Sequence, residues 1–481
     1  MKSSQTSFAI PARDSSLREG TGISNLDGRL WDEMGFKVGR FFGDEAVVRA
    51  RVAIEARYLI ALSKAGRIRK LGKKEANILL RLHEKVDSKV YKQIREIETE
   101  ARHDVIAMTQ VLKKLLGKYK KLDDIVTADW IHWGLASEDV DNLSKATLTM
   151  EFLKEEFLPQ ASLLLGSISV MAKNTKNVTI PGRTHMQPAV PTTLGKEIAL
   201  FGVRLAEVFE RISDLKLRGK LTGAVGNLSA QRSAAPEINW LSFSKKFVES
   251  LGLETSLFTT QIEPRNRWAE LLDLVETLDL ILVDLSQDAR LYIGFDWLVQ
   301  EAKKEEFGSS AMPQKVNPID FENSQGNALL ANWIIEGLKR QLLVSWLQRD
   351  LVDKTILRNL GLPFGYSLIA MISAVKGLTR VSPNKERITK ELNSDLSILA
   401  EAYQINLRAL GLPNAYDKLK DVTRGRKITK ENIGVWLDGL DVPEKVKTKL
   451  RRISPENYLG YAKENTQKML TEIERVRRKL A

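Results

Sequence analysis

Apolar positions recur at helical spacing along most of this chain. Between Asn266 and Gly294, residues Leu271, Val275, Leu278, Leu282 and Leu285 follow a 4-3-4-3 spacing, which lays one apolar stripe along a helix. Comparable long helical patterns run over about 139–174, 193–217 and 321–347. Upstream, an irregular arm over residues 1–30 precedes predicted helices at 44–66, 72–83 and 86–115. Helices of 25–35 residues exceed the usual globular mean of about 11–12, and a bundle is their natural home. Their apolar residues spread beyond a single stripe, so association between copies is expected to cover them. Glycine-punctuated polar loops at 175–192, 217–232 and 300–320 fall at helix ends, where functional loops belong. After about Gly361 shorter helices return, ending in a charged one at 460–480. The expected fold class is all-α, with three helical domains: 1–123 with the arm, a central long-helix bundle over 124–364, and 365–481.

Composition narrows the chemistry. The 30 Gly and 14 Pro among 481 residues are too few for collagen or a largely disordered chain. With no cysteine there are no disulfides, thiolate metal sites or cysteine nucleophiles. Four histidines remain, at 83, 103, 132 and 185. They lack close metal-ligand spacing, so no metal is expected. His83, in LLRLHEKV, is expected to be exposed or simply packed. The first twenty residues lack the apolar core of a signal peptide, and no run approaches 18 uninterrupted apolar residues. A cytoplasmic protein without a membrane span is the expectation. The net charge of +13 invites a nucleic-acid reading, but its basic clusters are interleaved with Glu and Asp. No nucleic-acid partner is expected; the field suits solvated helix surface and a small polyanionic substrate.

The densest unusual segment is GSSAMPQKVNPIDFENSQGN, from Gly308 to Asn327. Its hydroxyl and amide groups, with Lys315 and Asn317, suit a carboxylate, and Glu322 suits the orientation of a histidine. An anion-binding or catalytic loop competes here with a structural loop leading into a helix. The segment resembles the signature GSSxMPxKxNP of the fumarase/aspartase superfamily. HWGLASEDVDN (132–142) and RTHMQPAVPTTLGKE (183–197) agree with it. DGR (27–29), ARHDV (101–105), GKLTGAVGN (219–227), TTQIEP (259–264), LQRDLVDKTILRNLG (347–361) and YDKLKDVTRG (416–425) are most similar to the adenylosuccinate lyase family in its bacterial long form. The resemblance spans nearly the whole chain.

This resemblance implies a homotetramer with active sites shared between subunits, no cofactor, and β-elimination of fumarate from a succinyl nucleotide. It places the base on Ser309, the general acid on His185, its orienting carboxylate on Glu322, and a second active-site histidine at His103. Lys315 and Asn317 are implied to grip the carboxylates. Arg29, Arg349 and Arg358 are implied to hold the phosphate, with Lys354 beside them. Arg102, His132, Ser137, Thr184 and Gln261 are implied to be further substrate contacts. Five positions depart from the family pattern: Leu30 for Tyr, Ala136 for Thr, Met186 for Gly, Lys354 for Ser and, more mildly, Gln314 for His. Lysine at 354 can still meet phosphate as a longer cation, or signal a different amine product. Release of fumarate from another N-succinyl compound is thus the alternative reaction, and a catalytically silent or RNA-binding scaffold the non-enzyme alternative.

Overall fold

The computed structural model describes residues 26, 28, 30, 34–302, 311–414, 419–420 and 427–480. The fold is all-α, as the spacing predicts. In chain order the helices are α1 (Phe36–Phe42), α2 (Asp44–Lys64), α3 (Lys73–Leu80), α4 (Ser88–Ala101), α5 (Asp104–Leu116), α6 (Asp123–Thr127), α7 (Ser137–Phe152), α8 (Leu158–Thr175), α9 (Leu194–Asp214), α10 (Ser229–Ala234), α11 (Trp240–Ser250) and α12 (Asn266–Gly294). They continue as α13 (Ile319–Leu342), α14 (Val352–Leu357), α15 (Gly361–Thr379), α16 (Lys385–Ser394), α17 (Ala400–Ala409), α18 (Lys430–Asp438), α19 (Glu444–Arg451) and α20 (Ala462–Leu480). Strands among the described residues form three two-stranded ribbons. These are β1 (Thr179–Thr184) with β2 (Gln187–Thr193), β3 (Arg218–Gly219) with β4 (Glu254–Thr255), and β5 (Leu298–Gln300) with β6 (Val381–Pro383).

Four local expectations change. The helix expected over 86–115 breaks at Arg102, which takes a left-handed φ of 51°, and restarts with His103 as the cap of α5. The helix expected over 139–174 contains a wide π turn at Leu153–Phe157. Pro159 lies two residues beyond it; lacking an N–H, proline cannot complete an ordinary ladder there. The last long helix stops at Leu342, short of 347. Beyond it the Asp350 carboxylate collects the N–H groups of Trp346 (3.0 Å) and Val352 (2.8 Å), which favours a turn. The loop expected at 175–192 is largely the β1–β2 hairpin. Prolines 181, 188 and 191 suit it, because an isolated two-stranded ribbon leaves outer edges where no N–H is required.

The chain forms two compact units. The first comprises Met1–Pro159, Arg211–Asp279 and Asn327–Ile369; the second comprises Gln160–Glu210, Leu280–Gly326 and Ala370–Ala481. The first packs an aromatic core around Phe42, whose ring lies 5.1 Å from Phe152 and 5.6 Å from Phe364. Phe41 and Phe157 complete it. His83, elsewhere in this unit, is buried, as one of its two readings has it. In the second unit α8 and α9 approach closely: a Cβ at Gly195 would lie 2.4 Å from the Ala172 carbonyl oxygen. One stretch among the described residues, Val352–Thr379, is long and apolar enough to cross a membrane, and it is mostly buried in the fold. Several large apolar side chains on the long helices stay exposed, including Leu163 and Val170 on α8, Leu280 on α12 and Trp333 on α13.

Candidate active site

In the first unit, α2 carries charge into an apolar helix. Arg51 and Glu55 lie one turn apart, on the same face, and both are buried. Arg51 reaches Asp104 at 2.9 Å and Asp141 at 2.5 Å. Lys354, from α14, reaches the same two carboxylates at 2.6 and 3.6 Å. Burial alone would raise the Asp104 carboxyl, but Arg51 and Lys354 overcome it and hold it well below the usual carboxylate range. Asp141 is lowered too, against its own burial, by Arg51, Lys145 and Lys354. Lys145 is lowered, chiefly by burial and further by the Arg51 and Lys354 charges, which Asp141 and Glu138 only partly offset. A cavity of about 50 Å³ adjoins this cluster, lined in part by Arg51, Asp104, Lys145, Lys354 and Arg358.

His103 sits beside Asp104 and caps α5: its Nδ1 accepts the Ile106 N–H at 3.3 Å. That acceptor role keeps the proton off Nδ1 and leaves Nε2 as the ring nitrogen able to donate. His132, held at a φ of 61°, is gripped twice by Glu55. Its backbone N–H donates to Oε2 at 3.0 Å, and Nδ1 meets Oε1 at 2.5 Å. Burial opposes the charged ring, yet the Glu55 hydrogen bond and charge, backed by Asp139 and Asp141, raise His132 above the ordinary histidine value.

The start of α7 organises a second cluster. Glu138 accepts from Arg265 (2.9 Å) and from Arg349 (2.7 Å), and Asp353 pairs with Arg265 as well. Asp139 accepts the N–H groups of Ala136 (2.8 Å), Thr222 (3.0 Å) and Gly223 (3.2 Å) and pairs with the buried Lys220 at 2.9 Å. These two acids anchor their turn from below and leave Ser137 half-buried at the first helical position. Ala136 is the N-cap of α7, where it offers no side-chain oxygen. The missing Thr hydroxyl is therefore a missing helix cap, a change that costs about 1 kcal/mol in general. Gln261 donates to the Ala224 carbonyl at 2.9 Å, tying its loop to the glycine-rich one. A Cβ at Gly226 would lie 1.9 Å from the Thr259 carbonyl oxygen, so only glycine lets those loops meet.

In the second unit, His185 occupies the tip of the β1–β2 hairpin. Thr184 pairs with Gln187, which leaves a two-residue turn. His185 (φ 52°) and Met186 (φ 63°) are both left-handed, as a type I′ turn requires. Both are exposed, and so is Thr184. Arg183 fixes the tip: it donates to the Met186 carbonyl at 2.9 Å, pairs with Glu391 at 2.5 Å, and lies 4.5 Å from the Phe295 ring centre. Lys315 is exposed and Asn317 half-buried. Glu322, exposed on the first turn of α13, pairs with Arg290 at 3.5 Å.

The structure thus gathers Arg102, His103, Lys354 and Arg358 at one end of α5 and α14, and His132 with Ser137 near α2 and α7. It places Thr184 and His185 on a hairpin, and Lys315, Asn317 and Glu322 around the start of α13. Arg349 is committed to Glu138 and Lys354 to Asp104, so both implied phosphate ligands are already paired. Ser309 and Arg29 lie outside the described residues. Sequence reasoning missed Arg51, Glu55, Asp104, Asp141, Arg183 and Arg265. Only the first pair left a local signal, as opposite charges four residues apart inside the apolar run of α2.

Comparison with known proteins adds three findings. Residues 37–331 match the family described as Lyase, and residues 345–459 match the one described as adenylosuccinate lyase C-terminal. The sequence is 37% identical over 445 residues to an adenylosuccinate lyase of Escherichia coli K12, covering 92% of this chain and 97% of that protein. It is 36% identical over 455 residues to one from Dictyostelium discoideum, covering 92% and 96%. Among solved structures, a fumarate lyase from Mesorhizobium sp. BNC1 superposes with a TM-score of 0.73 at 16% identity, over 90% of this chain and 97% of that one. A 3-carboxy-cis,cis-muconate lactonizing enzyme from Pseudomonas putida does so with 0.72 at 19%, over 91% and 97%. At that identity the two structures speak for the fold alone.

Proposed function

This chain belongs to the adenylosuccinate lyase family, and from that premise we propose that it releases fumarate from adenylosuccinate, leaving AMP, and from the succinyl-carboxamide ribonucleotide of purine synthesis. The observation that carries the reading is the 37% identity sustained over 445 residues, nearly the full length of both chains.

The reaction removes a weakly acidic proton beside a carboxylate and then breaks the neighbouring C–N bond. The electron pair left at carbon forms the double bond of fumarate, and the leaving nitrogen takes a proton. Ser309 is the base; its hydroxyl becomes effective only where water is excluded and nearby donors stabilise the alkoxide. Lys315 and Asn317 offset charge that builds on the substrate carboxylate. His185 delivers the proton to the departing nitrogen, an assignment that suits a side chain carried on a two-residue turn and exposed to an incoming ligand. Glu322 orients it once the site is assembled. His103 offers Nε2 to the nucleotide, and His132, paired with Glu55, serves as a further substrate contact, as do Arg102, Ser137, Thr184 and Gln261 once the subunits have assembled. Arg29 and Arg358 meet the phosphate with the forked donors of guanidinium.

The working form is a homotetramer in the cytoplasm, with each site drawn from several subunits. Exposed apolar side chains such as Leu163, Val170, Leu280 and Trp333 support association. Light scattering should give about four times 54.2 kDa; a value near one chain would refute the assembly. For the activity, purified protein is offered adenylosuccinate, the succinyl-carboxamide ribonucleotide and argininosuccinate, and fumarate is followed by absorbance. Release from the two nucleotides is expected. No release from either, with turnover of another succinyl compound, would overturn the reading.

A further inference from the structure

We propose that Lys354 is a positioning residue: it is the internal counter-ion of a buried four-charge cluster that aims His103, and not a ligand of the substrate phosphate. The turnover part of this inference rests on the function proposed above; the cluster itself does not.

Arg51 and Lys354 supply two positive charges, and Asp104 and Asp141 two negative ones. All four pairings lie between 2.5 and 3.6 Å, and no member's side chain is more than 13% exposed. The set is neutral as a whole. Removing one member strands a charge in a poorly solvated place, and that is the condition under which a buried ion pair becomes costly to break. Asp104 opens α5, and His103 caps the same helix. One carboxylate therefore ties the start of α5 to α2 through Arg51 and to α14 through Lys354, 53 and 250 residues away in sequence. Loss of Lys354 frees one side of Asp104 and, with it, the backbone that sets the direction of the His103 ring. The same geometry disfavours a phosphate on Lys354. Its ammonium already donates to Asp104 and faces Asp141, and a dianion brought to it would meet both carboxylates. Arg358, by contrast, is exposed at the end of α14.

The test uses the full-length protein as Lys354→Met, Asp141→Asn, the double variant, and Lys354→Arg. Each is assayed for fumarate release from adenylosuccinate and for thermal unfolding at one protein concentration. Lys354→Met should lower kcat about tenfold or more while KM stays within about threefold. It should also lower Tm by about 3 °C or more. Adding Asp141→Asn removes the stranded negative charge, so the double variant should regain at least half of both losses. Lys354→Arg should keep most of the kcat. If Lys354→Met yields no folded protein, recovery of folded protein by the double variant supports the proposal, and failure to recover it overturns the proposal. A KM raised about tenfold or more with kcat unchanged is the signature of a phosphate ligand and overturns it. So do losses in the two single variants that simply add. If the unaltered protein turns over neither nucleotide, the functional reading falls, while the Tm cycle still decides whether the cluster is coupled.

Discussion

His132 and His185 are assigned to the same reaction but stand in opposite settings. His132 is half-buried, its backbone and ring both held by one carboxylate, with further acids behind it. His185 is exposed on a turn that is itself held only through its backbone, by Arg183. The first histidine is organised by its own chain before any substrate arrives. The second is aimed but left bare, as a group must be if its partners come from the substrate and from other subunits. Around His132 orientation comes from a cluster of paired charges; at His185 it comes from fixing a short strand and leaving its tip unburdened.

The largest effect that can break this comparison is on turnover. His185→Ala should lower kcat about a thousandfold, within the range for general acid catalysis, while Tm stays unchanged because the side chain packs against little. Ser309→Ala should match it. A near-wild-type rate in either variant removes that residue from its role. Next comes stability in the paired region. Glu138→Ala leaves the buried Arg265 and the half-buried Arg349 short of a partner and should cost about 3 kcal/mol in urea unfolding at fixed protein concentration. A loss below about 1 kcal/mol would show that the cluster is not what holds α7 and α14.

A smaller effect separates the histidines by pH. His132 is raised above its unfolded value, so its pairing with Glu55 contributes fully below about pH 6.5 and fades as pH rises through the raised value. The Tm gap between wild type and His132→Gln should therefore narrow from pH 6 to pH 9; a constant or widening gap would contradict the charged pair. The smallest effect concerns the hairpin tip. Met186 holds a φ of 63° that glycine adopts without strain, so Met186→Gly should stabilise by about 1 kcal/mol. Unchanged or lower stability would mean that the methionine side chain compensates.

The sequence made the long helices legible wherever one stripe persisted. The helix at 266–294 was readable to both ends, because its leucines keep phase throughout. The hairpin was not, because its turn is His-Met and not the Asn-Gly or Asp-Gly that announces a type I′ turn. The break at Arg102 was hidden for a similar reason: histidine is not among the usual capping residues, yet its Nδ1 serves here. Motifs made the candidate residues legible one at a time. What they could not convey was the partners, since Asp104 with Lys354 and Glu138 with Arg349 join positions 250 and 211 residues apart. Lys354 illustrates the gap. As a letter it looks like a phosphate ligand; in place, its charge is already answered.

The π turn at Leu153–Phe157 has a consequence of its own. An extra residue in one turn advances everything downstream by about 100° around the helix axis, roughly the angle one residue subtends. It lets consecutive glutamates, Glu155 and Glu156, reach the same guanidinium of Arg40 at 2.8 and 2.9 Å. A hydrophobic pattern read at constant period through Phe157 therefore assigns the later side chains to the wrong face, and a one-residue deletion there would shift their phase by the same angle.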